Sequence, residues 1–163
     1  MIEMRIESVR VSLMSPNQVV ILRELDGERR LPIFIGKTEG DAITFRLNDV
    51  AVPRPLTHDL ATSILGALDA KITQVVISDL RSQHFFASIQ VEANGTEVTL
   101  DVRPSDALAI AVRVDCSIFV EEHVLDEAGT LLPREGDSTG PVDMGAFDDF
   151  ISSLDLSDLD DEK

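Results

Sequence analysis

Hydrophobic positions alternate with polar ones along the first third of the chain, and this period of two predicts strands. From residue 4 to residue 13, Met4 and Ile6 lie on one parity while Val9, Val11 and Leu13 lie on the other. A change of parity inside one run predicts a bulge, near Glu7-Ser8. Ser15-Pro16-Asn17 reads as a turn, Val19 to Leu25 as a second strand, and Asp26-Gly27 as a hairpin signal before Leu31-Pro32-Ile33-Phe34-Ile35. These three segments predict an antiparallel meander. Gly36 ends it, and Thr38 is placed to cap a helix running to about Leu47, with Ala42, Ile43 and Phe45 on its turns.

The period then changes. Val50 to Pro55 reads as a loop with two prolines, and Thr57 as the cap of a helix over 58–69 in which Leu60, Ile64, Leu65 and Leu68 recur at helical spacing. Ile72 to Ile77 reads as a strand ending at Asp79. Phe85 to Glu92 and Glu97 to Val102 form a hairpin around Asn94-Gly95. Pro104 suits the first turn of a helix over 105–113, apolar almost all round through Ala107, Leu108, Ala109, Ile110, Ala111 and Val112, which predicts burial. Ile118 to Val120 is a last short strand. The order of strands and helices is irregular, so the fold class is α+β: a mixed, largely antiparallel sheet built from hairpins, with three packed helices. A domain over 1–125 is expected to be followed by an appendage over 126–163. Within it, 126–141 reads as a flexible linker and 144–156 as an amphipathic helix carrying Phe147, Phe150, Ile151 and Leu154. Residues 157–163 read as disordered.

Charge separates the same two parts. The net charge is −16 overall, but residues 1–120 hold 16 acidic and 12 basic side chains, whereas 121–163 hold 14 and 2. The domain is nearly balanced and carries no basic stripe of the kind that marks a nucleic-acid binder. With 4% aromatic residues and neither Trp nor Tyr, a base-stacking platform is not expected. No apolar run reaches 18 residues, so no membrane span is expected, and the N-terminus lacks the pattern of a secretory signal. Cys116 is the only cysteine. It rules out an internal disulfide and a cysteine zinc site, and reads as a small buried hydrophobe. A cytoplasmic location is expected.

The common phosphate-loop, dinucleotide and His-Glu-x-x-His signatures are missing from the chain. Two segments stand out because they resemble each other: Arg54-Pro55-Leu56-Thr57-His58-Asp59-Leu60 and Arg103-Pro104-Ser105-Asp106-Ala107-Leu108. Both place Arg-Pro, then a hydroxyl, then Asp, at a helix start. One reading is structural, with Thr57 and Ser105 as N-caps, Asp59 and Asp106 at the positive helix ends, and the arginines paired with carboxylates.

These two segments, with Leu31-Pro32-Ile33-Phe34-Ile35-Gly36 and the following Glu39, resemble the bifunctional nuclease domain family over roughly residues 4–125. Ala is expected after the glutamate of the first motif, where this chain has Gly40. The C-terminal Phe147-x-x-Phe150-Ile151 pattern resembles the tails of bacterial members. The resemblance implies a metal-assisted nuclease acting on RNA and DNA, and a homodimer. Phosphodiester hydrolysis needs carboxylates to hold Mg²⁺ or Mn²⁺, a group that activates water, and cations for the developing phosphorane charge. Glu39, Asp59, Asp101 and Asp106 are the candidate metal ligands, His58 the candidate base, and Arg54 and Arg103 the candidate cations, all near element ends. Asp79 reads as a turn residue, and His84 and His123 as incidental. The alternative is a non-enzymatic regulatory or binding module whose acidic tail docks a basic protein partner. Charge favours that alternative, because nonspecific affinity for nucleic acid grows with phosphates neutralised; the resemblance favours the nuclease.

Overall fold

A computed structural model of the chain describes residues 1–11 and 17–131. Three antiparallel strands, β1 (Ile2–Val11), β2 (Gln18–Glu24) and β3 (Arg30–Ile35), form the expected meander, and β1 shifts register between Ile6 and Ser8. The parity switch in the sequence is thus a β-bulge, which keeps apolar side chains of both halves of the strand on the core. Helices α1 (Lys37–Leu47) and α2 (Thr57–Ala67) follow, then β4 (Ala70–Arg81), β5 (His84–Ala93) and β6 (Thr96–Val102) as a second meander. The β5–β6 turn has φ of 52° at Asn94 and 74° at Gly95, the left-handed pair that a tight hairpin requires. The β4–β5 turn is equally tight at Ser82-Gln83, both with positive φ, although neither residue signals it in the sequence.

After α3 (Pro104–Val114), β7 (Ser117–Val120) enters between the two meanders, antiparallel to β1 and parallel to β4. The result is one seven-stranded mixed sheet in the order β3-β2-β1-β7-β4-β5-β6, in an α+β fold. Ile118 and Val120 of β7 are buried in the seam. Helix α3 lies against the core as its composition predicts, with Ala107 to Ala111 all buried, and α1 adds Ala42 and Ile43. The three helices each end at or next to an aspartate with positive φ (Asp49, Asp69, Asp115). Aspartate accepts this conformation more readily than most residues with a side chain.

Two helices go beyond the sequence reading. The apolar stripe of α2 meets the core only through Leu65: Leu60, Ile64 and Leu68 are 57%, 50% and 66% exposed, and His58 is the buried residue of that helix. A 3.6 period shows that a helix has an apolar face, but not what that face meets. A further helix, α4 (Glu122–Ala128), crosses the expected boundary at 125. Val124 and Leu125 are fully buried, and Arg29 holds the helix through Glu122 (2.9 Å) and Asp126 (3.3 Å) while also pairing with Glu24. A bridge between Arg30 and Thr130 then ties the segment after α4 to the β3 edge. Only seven residues long, three of them acidic, α4 gives little periodic signal of its own. The expected turn at Ser15-Pro16 and the expected helix over 144–156 lie outside the described residues.

Candidate functional site

The amino termini of α1, α2 and α3 carry an acidic residue at the same place, the third helical position: Glu39, Asp59 and Asp106. A carboxylate there is stabilised by the unpaired backbone N–H groups and the positive end of the helix dipole. The capping residues themselves are Gly36, Leu56 and Arg103, none with a side-chain cap bond. Thr38, Thr57 and Ser105 are therefore not N-caps, which corrects the sequence-based assignment. Each helix starts one or two residues earlier than expected, and these hydroxyls fall inside the first turn.

Arg103 joins two of these helix ends. Its Nη2 donates to Glu39 Oε1 at 2.9 Å, while Nε and Nη2 donate to Asp106 Oδ2 and Oδ1 at 2.7 and 3.1 Å. The second of these contacts is the forked geometry that suits a guanidinium and a carboxylate. The His58 ring from α2 meets the same carboxylate, with Nε2 3.1 Å from Asp106 Oδ1. Glu39, His58, Arg103 and Asp106, far apart in sequence, thus form one connected network drawn from all three helix starts. Burial would raise the Asp106 carboxyl, but Arg103 and His58 outweigh it and hold it below the usual carboxylate range. The Arg103 guanidinium is raised in turn, by its bonds to Asp106 and then by Glu39.

Asp59 belongs to a second network. Its Oδ2 accepts the Leu56 N–H at 2.7 Å and its Oδ1 the Nε–H of Arg113 at 2.6 Å. Arg113 also donates to the carbonyls of Ala109 (2.7 Å) and Ala42 (3.3 Å), so one buried guanidinium braces α1, α2 and α3. Here too burial would raise the carboxyl, and the Leu56 N–H and Arg113 turn the balance so that Asp59 lies low. Arg113 was not a candidate from the sequence. An arginine in the last turn of a buried helix was the available signal, since such a cation needs a partner.

The remaining candidates stand apart. Asp101 is exposed on β6, opposite Ser88, and Arg54 is exposed in the loop before α2. Neither side chain forms a hydrogen bond or ion pair among the described residues. The two Arg-Pro segments are therefore not equivalent: in one, arginine binds the aspartate three residues on, whereas in the other the aspartate is five residues on and binds Arg113. Asp79 closes the end of β4, bonding Leu80 N–H, Arg81 and His123. Cys116 is half-buried against the core, where burial pushes its thiol up and away from thiolate chemistry.

Mg²⁺ and Mn²⁺ require several oxygen donors converging on one point. Glu39 and Asp106 are bound to Arg103, Asp59 is bound to Arg113, and Asp101 is separate. Among the described residues no group of three or more His, Cys, Asp or Glu side chains is arranged to hold an ion. The four carboxylates, as the fold arranges them, do not fit a divalent-ion site.

Lowered carboxyls have a consequence for acid stability. Asp59 and Asp106 contribute stability in full above their unfolded pKa, near 4, and lose it as pH falls through their lower folded values. The expected result is a Tm that drops below about pH 4 and drops less in Asp106→Asn. A Tm that holds or rises down to the foot of that range would remove these two groups as determinants.

The bifunctional nuclease domain model matches residues 20–133, which include both networks. The chain belongs to the bifunctional nuclease domain family. Within that family it is 40% identical over 162 residues to an uncharacterized protein of Mycobacterium tuberculosis, across 96% of this chain and 97% of the relative. It is 23% identical to bifunctional nuclease 1 of Oryza sativa subsp. indica over 137 residues, and 24% identical to bifunctional nuclease 1 of Arabidopsis thaliana over 132 residues. The aligned part spans 41% of the length of each plant nuclease and 82% and 78% of this chain. In this chain, the first and third motifs meet physically at the Glu39–Arg103 contact, and the second enters through His58.

Proposed function

We propose that this chain is a nuclease that hydrolyses phosphodiester bonds of RNA and DNA at the Glu39–Arg103–Asp106–His58 network. Family membership supports the reaction class. The observation that carries the location is that Arg103, a forked cation, is held at a helix start beside a His–Asp pair. Arg103 is 67% exposed, so a phosphate can reach its outer N–H groups and share them with the carboxylates. Asp106 orients the imidazole through Nε2, leaving Nδ1 to accept the proton of an attacking water. The water oxygen bonds to phosphorus as its proton passes to Nδ1, the bond to the leaving oxygen breaks and that oxygen takes a proton from solvent, and negative charge on the phosphoryl oxygens is met by Arg103. Arg54, without an ion pair among the described residues, supplies a second cation along the strand.

No step of the proposal runs through Mg²⁺ or Mn²⁺, which the four carboxylates do not fit as the fold arranges them. The deciding experiment measures cleavage of labelled single-stranded RNA and DNA by purified protein with Mg²⁺, with Mn²⁺ and in excess EDTA. Asp106→Asn and His58→Gln serve as variants. Cleavage lost in both, with folding retained, is the expected result. No cleavage by the wild type under any condition would favour the alternative module, in which the network only braces three helices. Cleavage lost in EDTA would call for an ion that the four carboxylates do not hold as the fold arranges them.

A further inference from the structure

We propose that Gly36 is a positioning residue for Glu39, and through Glu39 for Arg103. The geometric part of this inference is independent of the nuclease reading; its activity part rests on it.

Gly36 lies between β3 and α1 with φ −64° and ψ 153°, an extended conformation open to any residue. Backbone freedom therefore does not explain a glycine at this position. Space does: a methyl group there would stand 2.6 Å from Glu39 Oε2, well inside van der Waals contact. The other oxygen of that carboxylate accepts the Arg103 hydrogen bond. Glu39 is thus folded back over the helix start, with one oxygen on Arg103 and the other in the space that a glycine leaves. The atom that must yield to a methyl is the tip of a flexible side chain, so substitution displaces the carboxylate while the fold survives.

Gly40, four residues on, supplies a matched control. The place of its missing side chain is filled by the amide of Gln18, a buried residue whose Nε2 donates to Asp41 at 2.7 Å. Alanine at position 40 would push a buried side chain out of its packing. The departure from the Ala expected here is accounted for by Gln18. The two glycines of one helical turn therefore separate an effect on the site from an effect on packing.

The test compares Gly36→Ala, Gly40→Ala, Glu39→Ala and the Gly36→Ala/Glu39→Ala double variant by crystal structure, Tm and oligonucleotide cleavage. In Gly36→Ala the expected results are an unchanged Tm, loss of the Glu39–Arg103 hydrogen bond and retention of the Arg103–Asp106 fork. Cleavage is expected to show a lower kcat, by up to the roughly 100-fold loss that a 1 Å misplacement can bring, with little change in KM. Added to Glu39→Ala, the same substitution should do nothing further. Gly40→Ala should lower Tm and keep the Glu39–Arg103 contact. A Glu39–Arg103 contact that survives in Gly36→Ala would overturn the proposal, as would a rate loss of the same size in the Glu39→Ala background. Wild-type protein that cleaves nothing would overturn the nuclease reading instead, and the crystallographic contact alone would then decide the role of Gly36.

Discussion

Arg113→Ala is expected to cost about 3 kcal/mol, the scale for removing one partner of a buried ion pair. For a domain of this size that is a fall in Tm of roughly 10 °C. The Arg113 side chain is 5% exposed, so water does not replace the lost N–H groups. The substitution strands the Asp59 carboxylate and removes a donor from the carbonyls of Ala42 and Ala109, which belong to different helices. Because Arg113 connects α1, α2 and α3, the loss should be cooperative and not confined to one helix end. Asp59→Asn is the companion variant. It removes the charge and one of the two acceptor oxygens, so an amide NH₂ faces either the Leu56 N–H or Arg113 and the buried cation loses its counter-charge; its cost should be of the same order. Urea unfolding of both variants measures the difference. Equal stability of Arg113→Ala and wild type would mean that the brace contributes nothing. A larger loss in Asp59→Asn would mean that the carboxylate charge, rather than the guanidinium, governs this junction.

Arg103→Ala is expected to behave in the opposite way, with little change in stability and a loss of cleavage of about 10²–10³-fold, the scale for removing one preorganised transition-state donor. The guanidinium is largely exposed, and exposed ion pairs contribute about 0–1 kcal/mol. Its removal leaves Glu39 and Asp106 without a shared cation, but both carboxylates retain access to water. Arg103→Lys separates charge from shape: a lysine supplies one compact cation, but not the fork that binds Asp106 through two nitrogens while reaching Glu39. Partial activity in Arg103→Lys with none in Arg103→Ala would show that orientation and charge both matter. Wild-type cleavage by Arg103→Ala would place the reaction elsewhere in the domain. A Tm loss as large as that of Arg113→Ala would make Arg103 a structural residue.

The contrast between these arginines follows from their placement. Each sits at one end of α3, one at its capping position and one in its last turn, and each binds an acidic residue at the third position of a helix. Arg103 does so at the surface and Arg113 in the interior. The same chemical pair therefore serves an accessible site at one end of the helix and a fixed junction at the other.

The local sequence determined what could be expressed through near neighbours. The parity switch at Glu7-Ser8 located the β1 bulge, Asn94-Gly95 the β5–β6 turn, and the all-round apolar run of 105–113 a buried helix. The residue types at element ends singled out Glu39, Arg54, His58, Asp59, Asp101, Arg103 and Asp106, of which the fold joins Glu39, His58, Arg103 and Asp106 in one network. Partner choice was not available from that information. Whether Asp59 meets Arg54, five residues away, or Arg113, 54 residues away, depends on which helix ends pack together. The outward face of α2 and the course of α4 depend on it as well, and so does the entry of β7 between two meanders. These are decided by long-range packing: a hydrophobic period fixes that a face exists, and only the assembled sheet and helices fix what that face meets. Gly36 shows the same division on the smallest scale, since its backbone angles suit any residue, and only the folded position of the Glu39 carboxylate leaves no room for a side chain.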